Sequence, residues 1–458
     1  MDPRISVIPG LALAICIGSL SALYGQSLAV TVTAMTAVLC IAWWVFEPIP
    51  IPVTSLLPLA ILPLFGVLTP AETGAAFGSP LILLLLGGFL LSRGMESSGA
   101  HRRLALMVVN LVGANSPRRV VMGFMVAGAG LSMWISNMAT SLMLLPVALA
   151  VLETAEKPER LAVPLLLGLA WACSIGGLGT PIGTPPNLIF MQVYEEFTGQ
   201  RIGFLTWMSW GLPVVVLLVP VAALWLTRGL SNENRLRVPS IGPWRSAERR
   251  VLGLFALTAL AWVTRSEPFG GWSQWWGVPA ANDASVAFIA VIALFILRDR
   301  EGQVLITWRQ AVDIPWGILL LFSGGICLAK GLVASGVSEM AGMALSQLAS
   351  LPSWLMIAAI CLGVTFLTEA TSNTATTALL MPVLAAAAVA ANIDPRLMMV
   401  PAALSASCAF MLPVATGPNA VVFGSDQIPI QRMVREGLAV NLIGVLIVAS
   451  VVWLQLGS

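Results

Sequence analysis

The sequence predicts an all-α polytopic membrane protein with about 11 transmembrane helices. They form two inverted repeats, each holding a re-entrant hairpin and a broken helix. Three observations carry this prediction. The chain is 58% hydrophobic and 10% charged, with mean hydropathy +0.92, whereas soluble domains carry about 25% charged residues. The motif Ser-Asn-x-Ala-Thr occurs twice inside apolar sequence, at Ser136 and at Ser372, and the offset of 236 recurs between Pro146 and Pro382. The Lys and Arg residues also segregate. With the N-terminus in the cytoplasm, only Arg201, Arg265, Lys330 and Arg396 of the 23 fall on the far side, an asymmetry that orients membrane proteins.

Taken in order, apolar runs place spans near 6–23, 28–46, 51–67 and 79–95, then a first hairpin over 119–151. A broken span at 161–194 and a span at 207–227 close the first half. Residues 1–27 stand apart as an extra first helix, so the first repeat is 28–227. The hydrophilic stretch 228–249 reads as a cytoplasmic linker. The second repeat, 250–458, has spans near 250–264, 284–297 and 313–330, a hairpin at 353–391, a broken span at 397–424 and a last span at 436–455. Each arm of either hairpin reads as too short for an ordinary crossing, so the polar tips turn back at membrane depth. Such backbone is tolerated only where it is buried in protein or lines a wet cavity.

The repeat extends beyond the hairpins. Leu83–Gly88 returns as Leu320–Gly325, and Gly179-Thr180-Pro181-Ile182-Gly183-Thr184-Pro185-Pro186-Asn187 returns compressed as Pro413–Asn419. A hairpin that does not cross, with five spans around it, turns the second copy upside down. Inverted repeats with interrupted helices in corresponding places are the pattern of secondary transporters, with a site at the midplane. Eleven spans put the C-terminus outside. The Trp-rich loop Gly271–Trp276 then lies at the outer interface, as an aromatic belt would.

Several features read as structural. The net charge of +2 is dispersed over many loops and points to no nucleic acid. Cys16, Cys40, Cys173, Cys327, Cys361 and Cys408 sit in apolar segments without metal-type spacing, as small hydrophobes do. His101, the one histidine, lies in an amphipathic cytoplasmic arm. Gly87-Gly88 and Gly324-Gly325 read as close-packing positions. Glu47 and Glu369 lie at a span end and a hairpin shoulder, where each can orient backbone; an acid within a membrane is also a functional suspect. No Ser–His or His–Glu arrangement supports an enzyme.

No Lys or Arg falls in a hairpin tip or a helix break. An anion there must be held by hydroxyls, carboxamides and helix N-termini, which donate N–H groups and carry partial positive charge. The second arm of each hairpin begins just after its Ser-Asn, aiming such an N-terminus at the tip. Carbonyls freed where a helix unwinds suit Na⁺.

These paired motifs, together with Trp44-Val45-Phe46-Glu47-Pro48 and Thr54-Ser55-Leu56-Leu57-Pro58, resemble the divalent-anion:sodium symporter family of dicarboxylate, citrate and sulfate transporters. The resemblance runs from about residue 43 to the end. It implies a homodimer in which a scaffold holds two mobile transport domains that move as elevators, in a bacterial cytoplasmic membrane. It implies sodium ligands at Ser132, Ser136, Asn137 and Gly179 for one ion, and at Thr368, Thr371, Asn373 and Ala415 for a second. The anion would lie between, at Ser136, Asn137, Ser372, Asn373 and Thr374, with Thr180, Thr416 and Pro418 near the breaks. Two positions depart from the family: Met138 stands where Thr is usual, and Gly417 where Pro is common. The implied activity is sodium-coupled symport of a dianion such as succinate or malate. A sodium-independent exchanger, a sulfate or citrate symporter of the same fold, and a channel or sensor are the alternatives. A sodium requirement separates symport from exchange.

Overall fold

The computed structural model describes residues 3–113, 116–230, 236, 242–266, 270–340 and 351–457. Residues 231–235 and 237–241 of the predicted inter-repeat linker lie outside them. Helices follow the expected order, and beyond one isolated bridge, Arg298 with Val304, the described residues carry no strand pairing. Among the described residues, eight helices are long and apolar enough to cross a membrane, and five shorter apolar helices accompany them.

Local chemistry sets many of the ends. Ser27 and Ser79 accept from backbone N–H groups to start Leu28–Phe46 and Pro80–Ser98. Thr69 and Glu72 form a capping box ahead of the short helix Pro70–Phe77. Glu47 closes Leu28–Phe46 in a left-handed conformation. Two expectations need correction. The predicted span 51–67 is divided into Ile51–Thr54 and Leu56–Leu64, hinged at Ser55. Gly324 lies against the carbonyl of Ser55, where a Cβ would overlap the oxygen. The arms of the second hairpin, Ser353–Ala370 and Asn373–Ala390, have 18 residues each and both rank among the eight span-length helices. Arm length therefore does not mark that hairpin as re-entrant.

The first hairpin comprises Pro117–Ser132 and Asn137–Glu153. The first broken helix is Pro158–Gly176, a 3-10 turn Gly177–Gly179, and Pro185–Thr198. The second is Arg396–Ala406 and Gly417–Phe423. In each half, the leading arm of the hairpin packs on the leading segment of the broken helix. The trailing pieces pack crosswise: Asn137–Glu153 against Gly417–Phe423, and Asn373–Ala390 against Pro185–Thr198. The centre of this arrangement is the core, since residues 161–180 and 398–410 are buried without interruption. Gly87 meets Ala287 closely, as its small size requires, whereas Gly88 and Gly325 make only ordinary contacts.

At one end of the bundle, Arg103 pairs with Glu248 at 2.7 Å and donates to the carbonyls of Gly242 and Pro243. This ties the amphipathic arm Ala100–Val112 to the start of the second repeat. His101 on that arm is buried, contacts the Met95 carbonyl at 2.8 Å, and is held below its ordinary pKa by burial. All six cysteines are free; five are buried, and Cys16 is exposed on the outer face of the first helix.

Candidate substrate and cation site

The two tips and the two breaks enclose one cavity of about 370 Å³. Its polar wall carries Ser136, Asn137, Ser372, Asn373 and Thr374 from the hairpins, and Ala415, Thr416 and Pro418 from the second break. Gly183 and Thr184 contribute from the first break. The opposite wall is apolar apart from Ser92 and includes Leu85, Phe89, Pro315 and Ile318. No charged side chain lines the cavity among the described residues. A larger cavity of about 680 Å³, among Arg160, Arg228, Arg432 and Glu436, contains no residue of either tip or of the segments between the broken-helix halves.

Four helix N-termini converge on the smaller cavity, with Ser136, Thr184, Ser372 and Thr416 at their N-cap positions. Ser136 and Ser372 make no capping hydrogen bond to their own helices, and neither does Thr184. Their hydroxyls, the first-turn N–H groups of the two hairpin helices and the N–H of Gly417 are left for a ligand, whereas Pro185, Pro186 and Pro418 have none to offer and Asn187 N and Asn419 N donate to Thr184 O and Thr416 Oγ1. Partial positive charge at the N-termini favours an anion there.

Behind each tip the carboxamide meets oxygen atoms. Thr368 Oγ1 donates to Asn373 Oδ1 at 2.8 Å and shares the Ala406 carbonyl at 2.9 Å. In the first half, Ser132 Oγ lies 2.6 Å from the Asn137 carboxamide. With that amide turned over, its nitrogen donates to Gly183 O at 3.1 Å and Cys173 O at 3.3 Å. Each carboxamide thus sits between a cluster of hydroxyl and carbonyl oxygens on one side and the cavity on the other. A hard cation with the carboxamide oxygen turned toward it fits such a cluster.

The backbone of each break is held by a buried asparagine. Asn187 Nδ2 donates to Gly177 O and Thr180 O at 2.9 and 2.7 Å. Asn419 Nδ2 donates to Ala409 O and Leu412 O at 3.1 and 3.0 Å. Both are fully buried, and their Oδ1 atoms have no hydrogen-bond partner. Both asparagines reach back over the same two spacings, so Thr184 is the counterpart of Thr416, and Gly183 of Ala415.

That register separates some expected residues from the site. Thr180 is buried, and its hydroxyl donates to the Met133 carbonyl rather than facing the cavity. Gly179 packs against the Met133 side chain. The Thr371 hydroxyl is engaged by Leu367 O and Thr376 at 2.8 and 2.6 Å, away from Thr368 and Asn373. Reading the repeat backward from Asn187 and Asn419, so that Thr-Pro-Pro-Asn overlays Thr-Gly-Pro-Asn, finds Gly183 and Thr184 in the sequence. Reading forward from Gly-Thr-Pro does not. The holding role of Asn187 and Asn419 is visible only in three dimensions.

Glu369 acts on the same backbone. Its Oε1 accepts from Phe410 N, Met411 N and Asn441 Nδ2 at 2.7, 2.9 and 2.7 Å, and its Oε2 accepts from Leu412 N at 3.0 Å. A buried carboxylate with four N–H donors is an orienting group for the second break, as its shoulder position suggests.

Comparison with known proteins relates the chain to membrane transporters. The profile of the citrate transporter family, CitMHS, matches residues 41–403. The sodium-dependent dicarboxylate transporter SdcS of Staphylococcus saprophyticus is 38% identical over 435 residues, covering 90% of this chain and 83% of the relative. SdcS of Staphylococcus aureus is 37% identical over the same extent. In fold, the chain is similar to the Alcanivorax borkumensis YdaH transporter, with TM-score 0.59, 13% identity and coverage of 86% and 88%. Neisseria gonorrhoeae MtrF gives TM-score 0.56, 15% identity and coverage of 84% and 83%. The chain is an integral membrane transporter and belongs to the citrate transporter family, within the divalent-anion:sodium symporters.

Proposed function

We propose that the protein carries a C4 dicarboxylate, such as succinate or malate, into the cell together with sodium. The observation behind this reading is the placement of Asn137 and Asn373, each with one face on the cavity and the other on an oxygen cluster. Sodium drawing each carboxamide oxygen toward its cluster turns the amide N–H₂ toward the anion. The first ion would use Ser132, Asn137 and the Gly183 carbonyl; the second, Thr368, Asn373 and backbone near Ala406 and Ala415. The dianion would lie between the tips, held by Ser136, Ser372, Thr374 and the first-turn N–H groups of the two hairpin helices, with partial positive charge from the two half-helices of the breaks. The names of the staphylococcal relatives support both sodium and a dicarboxylate.

The two hairpins and two broken helices, packed crosswise on one another, form the moving body of an elevator. The remaining helices are the scaffold through which a homodimer forms in the lipid of a bacterial cytoplasmic membrane, N-terminus inside and C-terminus outside. Uptake of radiolabelled succinate into proteoliposomes tests the reading, with an inward sodium gradient and with choline in its place. Sodium-dependent uptake that malate inhibits is expected. Equal uptake in choline, or uptake only into vesicles preloaded with anion, would replace symport with exchange. Sodium-driven uptake of citrate or sulfate but not succinate would keep the coupling and move the substrate.

A further inference from the structure

Within the motif Ser-Asn-x-Ala-Thr the two tips differ only at the third residue. Thr374 follows Ser372-Asn373, but Met138 follows Ser136-Asn137. The Thr-x-Pro-Asn motifs that open the two trailing half-helices differ only at x, the first helical residue, where Pro185 corresponds to Gly417. These two exceptions meet in space. A Cβ built on Gly417 would lie 3.1, 3.3 and 3.4 Å from Cβ, Cγ and Sδ of Met138. The crosswise packing brings the other pair of elements together in the same way, with Thr374 and Pro185 both on the cavity wall. One side of the cavity therefore combines a short hydroxyl side chain with proline, and the other a long thioether with no side chain.

Gly417 is the first residue of its helix, a position that suits proline because its N–H has no helical acceptor and its φ is already helical. Glycine there gives up backbone stability; it keeps an N–H on the cavity wall, but any residue other than proline would keep it too, so that N–H alone does not call for glycine. The contact with Met138 supplies the reason, since a ring at 417 would press on the thioether. Met138 itself is 50% exposed and lines the cavity, so its chain lies along the bound anion's path rather than in the core.

We propose that Met138 and Gly417 form a coupled specificity pair that restricts the site to slender dianions. The thioether removes one hydroxyl donor and puts an apolar, polarisable surface at the first tip. A third carboxylate or a substrate hydroxyl on that side has no donor to replace its lost water, and a site without the matching hydrogen bond discriminates against it. Unbranched dicarboxylates lacking polar branches are the preferred class. This rests on the dicarboxylate reading above and sharpens it.

The test uses full-length protein in proteoliposomes: wild type, Met138→Thr, Gly417→Pro and the double variant. Sodium-driven succinate uptake is measured with malate and citrate as competitors. Gly417→Pro alone lowers uptake about tenfold, from overpacking against Met138. Adding Met138→Thr keeps Cβ and γ atoms but removes Sδ and the chain beyond it, so it recovers part of that loss, a coupling that a double-mutant cycle isolates. Met138→Thr alone improves competition by malate and citrate, relative to unlabelled succinate, by about tenfold. Full uptake by Gly417→Pro, or a double variant as poor as that single one, would break the pair. An unchanged order of competitors in Met138→Thr would remove the thioether from selection. Thermal melting of each purified variant reports folding; if Gly417→Pro does not fold, Gly417→Ala sets the same Cβ against Met138 and takes its place in the cycle. Failure of the wild type to take up succinate overturns the dicarboxylate reading alone, and the competitor order is then read with the anion that sodium does drive.

Discussion

The two helix breaks reach the same geometry by different chemistry. In each, one buried asparagine clamps two carbonyls at matching distances along the chain. Around that clamp the halves diverge. The first break is neutral and glycine-rich. Gly176 rests on the backbone of Ala129, and Gly183 folds onto Gly177, each where a Cβ would collide. Trp207 Nε1 donates to the Leu178 carbonyl at 3.0 Å. The second break has no glycine between Ala406 and Thr416. It is held by the Glu369 carboxylate, which gathers three consecutive backbone N–H groups, and by Asn441 Oδ1, which accepts from Phe410 N at 3.2 Å. At the 236-residue offset Glu369 corresponds to Met133, which contributes only its carbonyl, to Thr180. Glycine packing thus supports both breaks, from within the break in the first half and from Gly437 against Phe410 and Met411 in the second, and only the second adds a buried charge. The charge also stands next to Thr368, giving the second cation cluster a negative neighbour that the first lacks.

The largest effect should therefore come from Glu369→Gln. The amide keeps the shape but turns N–H₂ toward a wall of donors, and at least one of the Phe410, Met411 and Leu412 N–H groups loses its acceptor. Each buried group so stranded costs about 1–3 kcal/mol, and loss of the charge-assisted bonds adds to that. Sodium-driven uptake is expected to fall about 100-fold, with a clear drop in the melting temperature of the purified protein. Uptake near the wild-type level would mean that packing suffices in the second break as it does in the first.

The sequence makes the paired site visible because repetition is a stronger signal than any one motif. Ser136-Asn137 and Ser372-Asn373 stand out against apolar arms, and the structure brings both pairs to one cavity. The breaks were less legible. Their second copy is four residues shorter than the first between motif and Asn, so Gly179 and Thr180 align with the wrong partners unless the reading starts from Asn187. The division of the span at Ser55 has a local signal in Pro58, which has no N–H to donate to the Thr54 carbonyl, while the close approach of Gly324 to the Ser55 carbonyl is tertiary. Glu369 reads in sequence as a shoulder acid, while its partners lie in another helix and in irregular backbone that no periodicity marks. The contact between Met138 and Gly417 is likewise tertiary, although both residues stand out in sequence as departures from their own repeats.

A smaller effect tests the shared feature instead. Asn187→Ala and Asn419→Ala each free two buried carbonyls and leave a space where the carboxamide was. Carbonyls tolerate partial satisfaction better than N–H groups do, so each substitution should cost about 2 kcal/mol. If the clamps are equivalent, the two variants lose uptake to the same degree, within about threefold. A severe Asn419→Ala beside a mild Asn187→Ala would show that glycine packing holds the first break without its clamp. The equivalence would then be one of position only.

The smallest effect belongs to the support that only the first break has. Trp207 is fully buried and packs against Phe190 and Trp210, so most of its contribution is contact rather than its single hydrogen bond. Trp207→Phe retains an aromatic ring in that cluster and removes the donor to Leu178 O. The stranded carbonyl should cost about 1 kcal/mol, read as a modest fall in melting temperature with sodium affinity little changed. The neighbouring Gly211 also bears on Leu178, where a Cβ would overlap the carbonyl oxygen. That oxygen is therefore fenced by backbone and cannot turn toward water when its donor is lost. A weakened sodium dependence in Trp207→Phe would contradict this, because it would place the 3-10 turn among the groups that sense the ion rather than among those that only keep the break in shape.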